Sequence, residues 1–170
     1  MVYKIREACV SDARKIALLH VRSWQAAYKN ILPSKELGEL SLSEKVGSWN
    51  KRLNHSESNF PKTLIAECDS EIVGFCSFGS DPDDPNTGSI LAIYFYQKHW
   101  GMGYSQQLIY TALNELKLAG FTFVIIWVIE DNLRALKFYK KIGFSPSEKY
   151  KTVNLLGCQI REVCLFKELL

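Results

Sequence analysis

The spacing of apolar and polar positions divides the chain into short strands and amphipathic helices. Val2 to Glu7 alternates with a period of two, with Val2, Tyr3 and Ile5 among polar neighbours, and is predicted as a strand. Ala13, Ile16, Ala17, His20, Trp24, Ala27 and Tyr28 then recur at helical spacing, so a helix is expected with Ser11 or Asp12 as its cap. Asn30 to Ser34 reads as a loop, because the residue before Pro33 resists helical backbone. A second helix is expected from about Ser43, with Val46, Trp49 and Leu53 on one face, followed by a polar, turn-like stretch from Asn54 to Lys62. Thr63 to Glu67 and Ile72 to Phe78 read as two strands joined by the hairpin-like Asp69-Ser70-Glu71.

The middle of the chain has the clearest pattern. A strand from Gly88 to Tyr96 leads through Gln97-Lys98-His99 and the glycine turn Trp100-Gly101-Met102-Gly103-Tyr104-Ser105 into a helix. Ser105, Leu108, Ile109, Ala112, Leu113 and Leu116 share one face of that helix, and Ala119-Gly120 ends it. Phe121 to Ile129 is almost wholly apolar, the pattern of a strand with both faces buried. Glu130-Asp131-Asn132 opens a short helix lined by Ala135, Phe138, Tyr139 and Ile142, and Gly143 stops it. Two last strands are expected near Lys149 to Leu155 and Gln159 to Phe166, with a turn at Leu156-Gly157. No repeat, linker or low-complexity tract interrupts the pattern, so residues 1–170 read as one domain.

Composition narrows the function classes. Hydrophobic residues make up 47% and charged residues 23%, the mix of a soluble globular protein. A net charge of +3 without a block of five Lys or Arg gives no reason to expect a nucleic-acid partner. No run of eighteen apolar residues is present, so no membrane span is expected. The N-terminus lacks a signal-peptide core. The five cysteines, Cys9, Cys68, Cys76, Cys158 and Cys164, are odd in number and form no C-x-x-C. They read as small apolar residues in a reducing compartment, and a cytoplasmic location is expected. Ser80 to Gly88 holds three aspartates without the alternating ligands and closing glutamate of a calcium loop, so no metal is expected. It reads as a solvated turn or, alternatively, as a recogniser of a cationic substrate.

Chemistry first appears at the glycine turn. A strand that feeds through glycines into a helix aims several backbone N–H groups and the positive end of the helix dipole at one point, which suits a phosphate. The order of elements, taken with two motifs, resembles the GNAT acyltransferase superfamily over nearly the whole chain. The first motif is the pyrophosphate loop Q/R-x-x-G-x-G/A, which aligns with Trp100 to Ser105. Gly103 keeps the central glycine, while Trp100 stands for Gln/Arg and Ser105 for Gly/Ala. The second runs from Asn132 to Phe144 and is similar to N-x-x-A…F-Y-x-x-x-G-F at every fixed position.

The resemblance implies an α/β (α+β) fold with a mixed, mostly antiparallel sheet of about six or seven strands flanked by about four helices. It implies an N-acetyltransferase that uses acetyl-CoA as co-substrate. Trp100, Gly101, Met102, Gly103, Tyr104 and Ser105 would wrap the coenzyme pyrophosphate, with Trp100 offering its own N–H. Phe95, with Ile93 and Tyr94 beside it, would pair its backbone with the pantetheine arm, and Asn132 would contact the same arm. Tyr139 would be the general acid that protonates the leaving sulfur. Without the resemblance, Tyr139 reads as a core aromatic and Asn132 as a helix cap. Relatives carry a base glutamate at the positions of Ser89 or Trp127, and neither residue here can serve. Glu130, His20, His99 or an ordered water remain, His20 and His99 having the alternative readings of a packed core histidine and a surface histidine.

For the acceptor, Trp24, Tyr28 and Trp49 would form an aromatic wall suited to a cation or an apolar amine, or else are core aromatics. A small-molecule amine is the expected partner, and a peptide or protein amine is the alternative. A non-catalytic acyl-CoA sensor on the same fold is the reading outside enzymology. By analogy with relatives, a homodimer would form through the last strand, Glu162 to Phe166.

Overall fold

A computed structural model describes residues 3–54 and 61–169. Val2, and residues 55–60 within the turn-like stretch from Asn54 to Lys62, lie outside them. The elements follow the order β1 (Tyr3–Glu7), α1 (Ala13–Ala27), α2 (Ser34–Gly38), α3 (Leu42–Leu53), β2 (Lys62–Cys68), β3 (Glu71–Ser80), β4 (Gly88–Phe95), α4 (Tyr104–Leu118), β5 (Phe123–Ile129), α5 (Leu133–Ile142), β6 (Ser145–Leu155) and β7 (Cys158–Glu168). Seven strands form one sheet in the order β1-β2-β3-β4-β5-β7-β6. All neighbours are antiparallel except β4 and β5.

The two faces of the sheet bury different partners. Leu108, Ile109, Ala112 and Leu116 of α4, with Tyr139 and Ile142 of α5, pack on Phe78, Ile90, Phe95, Val124 and Ile126. The opposite face holds α1 and α3, with Ile16, Leu19 and Trp49 against Ile65, Ile72 and Phe75. Where α1 ends, Tyr28, Leu32 and Leu37 close over Ile129 and Ile160. Among the described residues no helix is long and apolar enough to cross a membrane.

Several expectations change in the structure. Asp12 does not cap α1 through its side chain. Its buried carboxylate accepts from the Cys9 N–H at 2.9 Å and from Arg6 at 2.7 and 3.0 Å. Arg6 also reaches Glu67 at 2.8 Å, so the network ties β1 to the start of α1 and to β2. The stretch after Pro33 contains the short α2, with Pro33 as its N-cap. β5 is not buried on both faces, because Phe123 is 44% exposed and Trp127 half-buried. Lys151 of β6 lies over the Trp127 ring at 4.3 Å. The expected two-fold pairing through Glu162 to Phe166 is also corrected. β7 runs between β5 and β6, so both of its edges are already paired, and the edge strand on that side is β6.

Candidate active site

β4 and β5 are hydrogen-bonded neighbours only at their first residues, Gly88 opposite Val124 and Ser89 opposite Ile125. Just beyond, Leu91 is an extra residue in the β3–β4 register, between Ser77↔Ala92 and Phe78↔Ile90. A bulge adds twist and bends its strand. From that point β4 parts from β5, and a cavity of about 790 Å³ opens between them. Alternation along β4 turns the backbone of Ile93 and Phe95 toward this gap. The Phe95 carbonyl accepts from Ser23 Oγ at 3.2 Å and Trp100 Nε1 at 2.9 Å, so the carbonyl that the pairing expected of Phe95 would use is taken, and Ile93 is left as the open strand edge. Ile93, Tyr94 and Phe95 all line the cavity.

The glycine turn closes one end. Gly101 and Gly103 have φ of +78° and +84°, and a Cβ at either would meet no protein atom within 4 Å. Gly103 caps α4, and the N–H groups of Gln106 and Gln107 return to its carbonyl at 3.1 and 3.2 Å. The N–H groups of residues 101–105 have no acceptor among the described residues. Free donors at the start of a fifteen-residue helix can hold an anion. Trp100 adds no donor to them: its N–H binds the Gln97 carbonyl at 3.1 Å and its indole binds Phe95. This corrects the expectation that Trp100 keeps its own N–H for a ligand.

The ring of Trp100 is a platform instead, with the Arg134 guanidinium 3.2 Å from its centroid. Arg134, Lys137 and Lys141, one face of α5, line the cavity and make that end positive. Gly101, Gly103 and Ser105 also line it. Met102 turns its side chain out to solvent, and Tyr104 stacks on Tyr3 at 4.4 Å, off the cavity.

Tyr139 is brought to the same cavity by α5. The Asn132 side chain accepts the Ala135 N–H at 3.2 Å and so caps the helix, leaving its amide N–H₂ free to donate. Gly143, at φ +93°, ends the helix, and the Phe144 N–H binds the Tyr139 carbonyl at 3.0 Å. Phe138 and Phe144 meet the Tyr139 ring edge-on at 5.2 and 5.8 Å. The motif from Asn132 to Phe144 is thus a cap, a stop and two rings that fix one phenol. Burial raises the Tyr139 pKa above the ordinary tyrosine value; Tyr28 and Cys76 add to the shift and Arg134 opposes it. The phenol therefore stays protonated at working pH.

On the other face of the sheet, Trp24 of α1 and Tyr28, which follows the helix, line the cavity, and the Tyr28 and Tyr94 hydroxyls bond at 2.9 Å. Trp49, expected beside them, lies in the core instead, 2% exposed, and donates to His20 Nδ1 at 3.2 Å. Trp24, Trp49, Phe75 and Tyr94 enclose His20. Burial, then Lys45 and Arg52, push its pKa down to about 3, and it does not line the cavity. Glu130 pairs with Arg161 at 3.6 Å, and His99 lies beside Tyr104; neither lines the cavity. The aspartates of the loop before β4 are used locally. Asp81 accepts from the N–H of Asp83 and Asp84, and Asp84 from Thr87 Oγ1.

The carboxylate that does line the cavity is Glu162 of β7. Sequence pattern could not have found it, because only the β5–β7 register carries it to the site, opposite Ile129.

Comparison with known proteins gives the chain a family and structural neighbours. The sequence pattern of the acetyltransferase (GNAT) family matches residues 20–144. An uncharacterized N-acetyltransferase of Bacillus subtilis, YuaI, is 28% identical over 165 residues, which is 95% of this chain and 90% of that protein. A probable N-acetyltransferase of Mycobacterium tuberculosis is 28% identical over 83% of this chain and 79% of its own. Among solved structures, the PaiA N-acetyltransferase of Thermoplasma acidophilum, in complex with coenzyme A, superposes with a TM-score of 0.78 at 21% identity, covering 99% of this chain and 100% of that one.

Proposed function

The chain belongs to the acetyltransferase (GNAT) family and is an acyltransferase, and from that premise we propose that it moves an acetyl group from acetyl-CoA directly onto a small-molecule amine. The observation that carries this reading is the meeting at one cavity of Gly101, Gly103 and Ser105, whose N–H groups are free, the open edge of β4 at Ile93 and the buried phenol of Tyr139.

Each part suits one part of the co-substrate. The N–H cradle and the α5 cations hold the pyrophosphate, because charge-assisted hydrogen bonds to backbone are strong where helix dipole and cations agree in sign. The amide-containing pantetheine arm continues β4 by pairing with the Ile93 backbone, with the Asn132 amide donating from the far side. The arm brings the thioester between the strands, where Tyr139 gives its proton to the leaving sulfur. The neighbouring solved structures support this choice of co-substrate, since that of PaiA holds coenzyme A.

The acceptor enters from the α1 face, where Trp24 and Tyr28 supply aromatic surface. Acetyl-CoA is presented with a panel of simple primary amines, polyamines, amino acids and short peptides, and thiol release is followed. Release that depends on a small amine is the expected result. Release only on peptides shifts the acceptor to the protein class, and tight coenzyme binding with no release on any amine contradicts the transferase reading.

A further inference from the structure

We propose that Glu162 is the residue that receives the acceptor: its carboxylate holds the incoming ammonium and takes the proton that nitrogen must lose. This inference rests on the transferase reading above.

A lysine-like amine, with a pKa near ~10.4, is neutral in only about one molecule in a thousand at pH 7. The site therefore needs a group that binds a cation and accepts a proton. Ser89 and Trp127 stand where the family resemblance implies a base glutamate. Ser89 is buried and Trp127 has no basic group.

Glu162 fills that need from another strand. It is the single carboxylate among the described residues that line the cavity. β-Sheet register fixes its direction, opposite Ile129 on one side and Lys151 on the other. Directly opposed residues share a face. Ile129 packs with Tyr28 and Leu32, so Glu162 points to the α1 face. The cations Arg134, Lys137 and Lys141 come from α5, on the other face. The cavity thus presents cations where an anionic donor binds and a carboxylate where an amine enters.

The groups facing Glu162 are few. Lys151 Nζ, from β6, lies 3.5 Å from Oε2 and rests over the Trp127 ring at 4.3 Å. From the end of α1 comes its C-cap Tyr28, whose hydroxyl is bonded to Tyr94. Burial raises the Tyr28 pKa first, the bond to Tyr94 opposes this, and the Glu162 charge raises it further, which marks the carboxylate as a near neighbour. From β5 the neighbour is the apolar Ile129. Lys151 therefore occupies the place that a substrate ammonium would take, and its second seat on Trp127 lets it yield.

The steps balance. One N–H proton of the ammonium passes to the Glu162 carboxylate, and the freed nitrogen pair forms the C–N bond to the thioester carbon. The C–S bond breaks, and the sulfur takes the Tyr139 phenol proton. The second N–H proton lost from nitrogen restores that phenol, and Glu162 releases its proton to solvent. The sum is acetyl-CoA and an ammonium giving an amide, the free thiol and one proton.

The test compares wild type, Glu162→Gln and Glu162→Asp on the fastest amine of the panel, from pH 6 to 10. Glu162→Gln is expected to lose about 10²-fold in kcat/KM. Its profile should climb with unit slope toward the amine pKa, because only free amine then reacts. Glu162→Asp should keep the shape of the wild-type profile. Acetyl-CoA affinity by calorimetry and the melting temperature should match wild type in both, which shows that the fold and the donor site survive. Lys151→Met, lacking the competing cation, should lower the KM for the amine. Wild-type turnover matched by Glu162→Gln in rate and profile overturns this inference alone. Wild type that binds acetyl-CoA but acetylates no amine overturns the transferase reading and this inference with it.

Discussion

Replacing Gly103 by alanine separates the two things this glycine does. At φ +84° a Cβ costs about 1–2 kcal/mol of backbone strain whatever surrounds it. For a domain of this size each kcal/mol moves Tm by roughly 2–4 °C, so a fall of about 2–8 °C is expected. The Cβ would meet no protein atom within 4 Å, and on the proposed reading the space it enters is the phosphate's. A phosphate oxygen sits at about 2.9 Å from an N–H donor, closer than a methyl group in its path permits. Losing one charge-assisted hydrogen bond costs about 1.5–3 kcal/mol, so coenzyme A affinity should fall by roughly ten- to over a hundredfold.

Gly120 is the control. It lies past the other end of α4, about 25 Å along the axis, with φ +96° and no neighbour within 4 Å of its Cβ. Gly120→Ala should show the same loss of Tm and no loss of affinity. Thermal melts give the first quantity and calorimetry with coenzyme A the second. Equal coenzyme affinity in the two variants would refute the assignment of the cradle.

Tyr139→Phe should lower kcat by about 10²-fold with coenzyme affinity unchanged; an unchanged kcat would mean that solvent protonates the sulfur. Because burial raises the Tyr139 pKa, the wild-type rate should show no loss from phenol ionisation below about pH 10. Arg134→Ala should weaken coenzyme A binding about fivefold and flatten its salt dependence, measured by calorimetry at two ionic strengths. Asp12, held at about 2 by Arg6 against burial, has a folded pKa below its unfolded value near ~3.9. Its contribution of about 2 kcal/mol is present above the unfolded value and lost as pH falls from about 5 toward 2. Acid titration of wild type should show that loss, and Asp12→Asn should flatten it.

What could be read from sequence is what short-range physics encodes. The strand, glycine turn and helix from Gly88 to Leu118 stand where period and breakers put them. The stretch from Asn132 to Phe144 is a cap and a stop, both local devices. Other features depend on contacts far apart in the chain. Asp12 followed Arg6 and Cys9 rather than the helix, and Pro33 opened α2 where it had suggested only a loop. Ser145-Pro146-Ser147-Glu148 hid the start of β6, which tolerates a proline as an edge strand. Trp49 shares the helical pattern of a wall residue, and only the packing of α3 on α1 turns it to His20. Glu162 is one polar position in an alternating strand; only the β5–β7 register, absent from any local signal, carries it to the cavity.

The account stands most directly on a crystal structure of this protein with acetyl-CoA. The pyrophosphate should accept from the N–H groups of residues 101–105, the pantetheine arm should pair with Ile93, and the thioester sulfur should lie within hydrogen-bond reach of the Tyr139 hydroxyl. Acetyl-CoA bound outside the gap between β4 and β5, or with its sulfur remote from Tyr139, would contradict it.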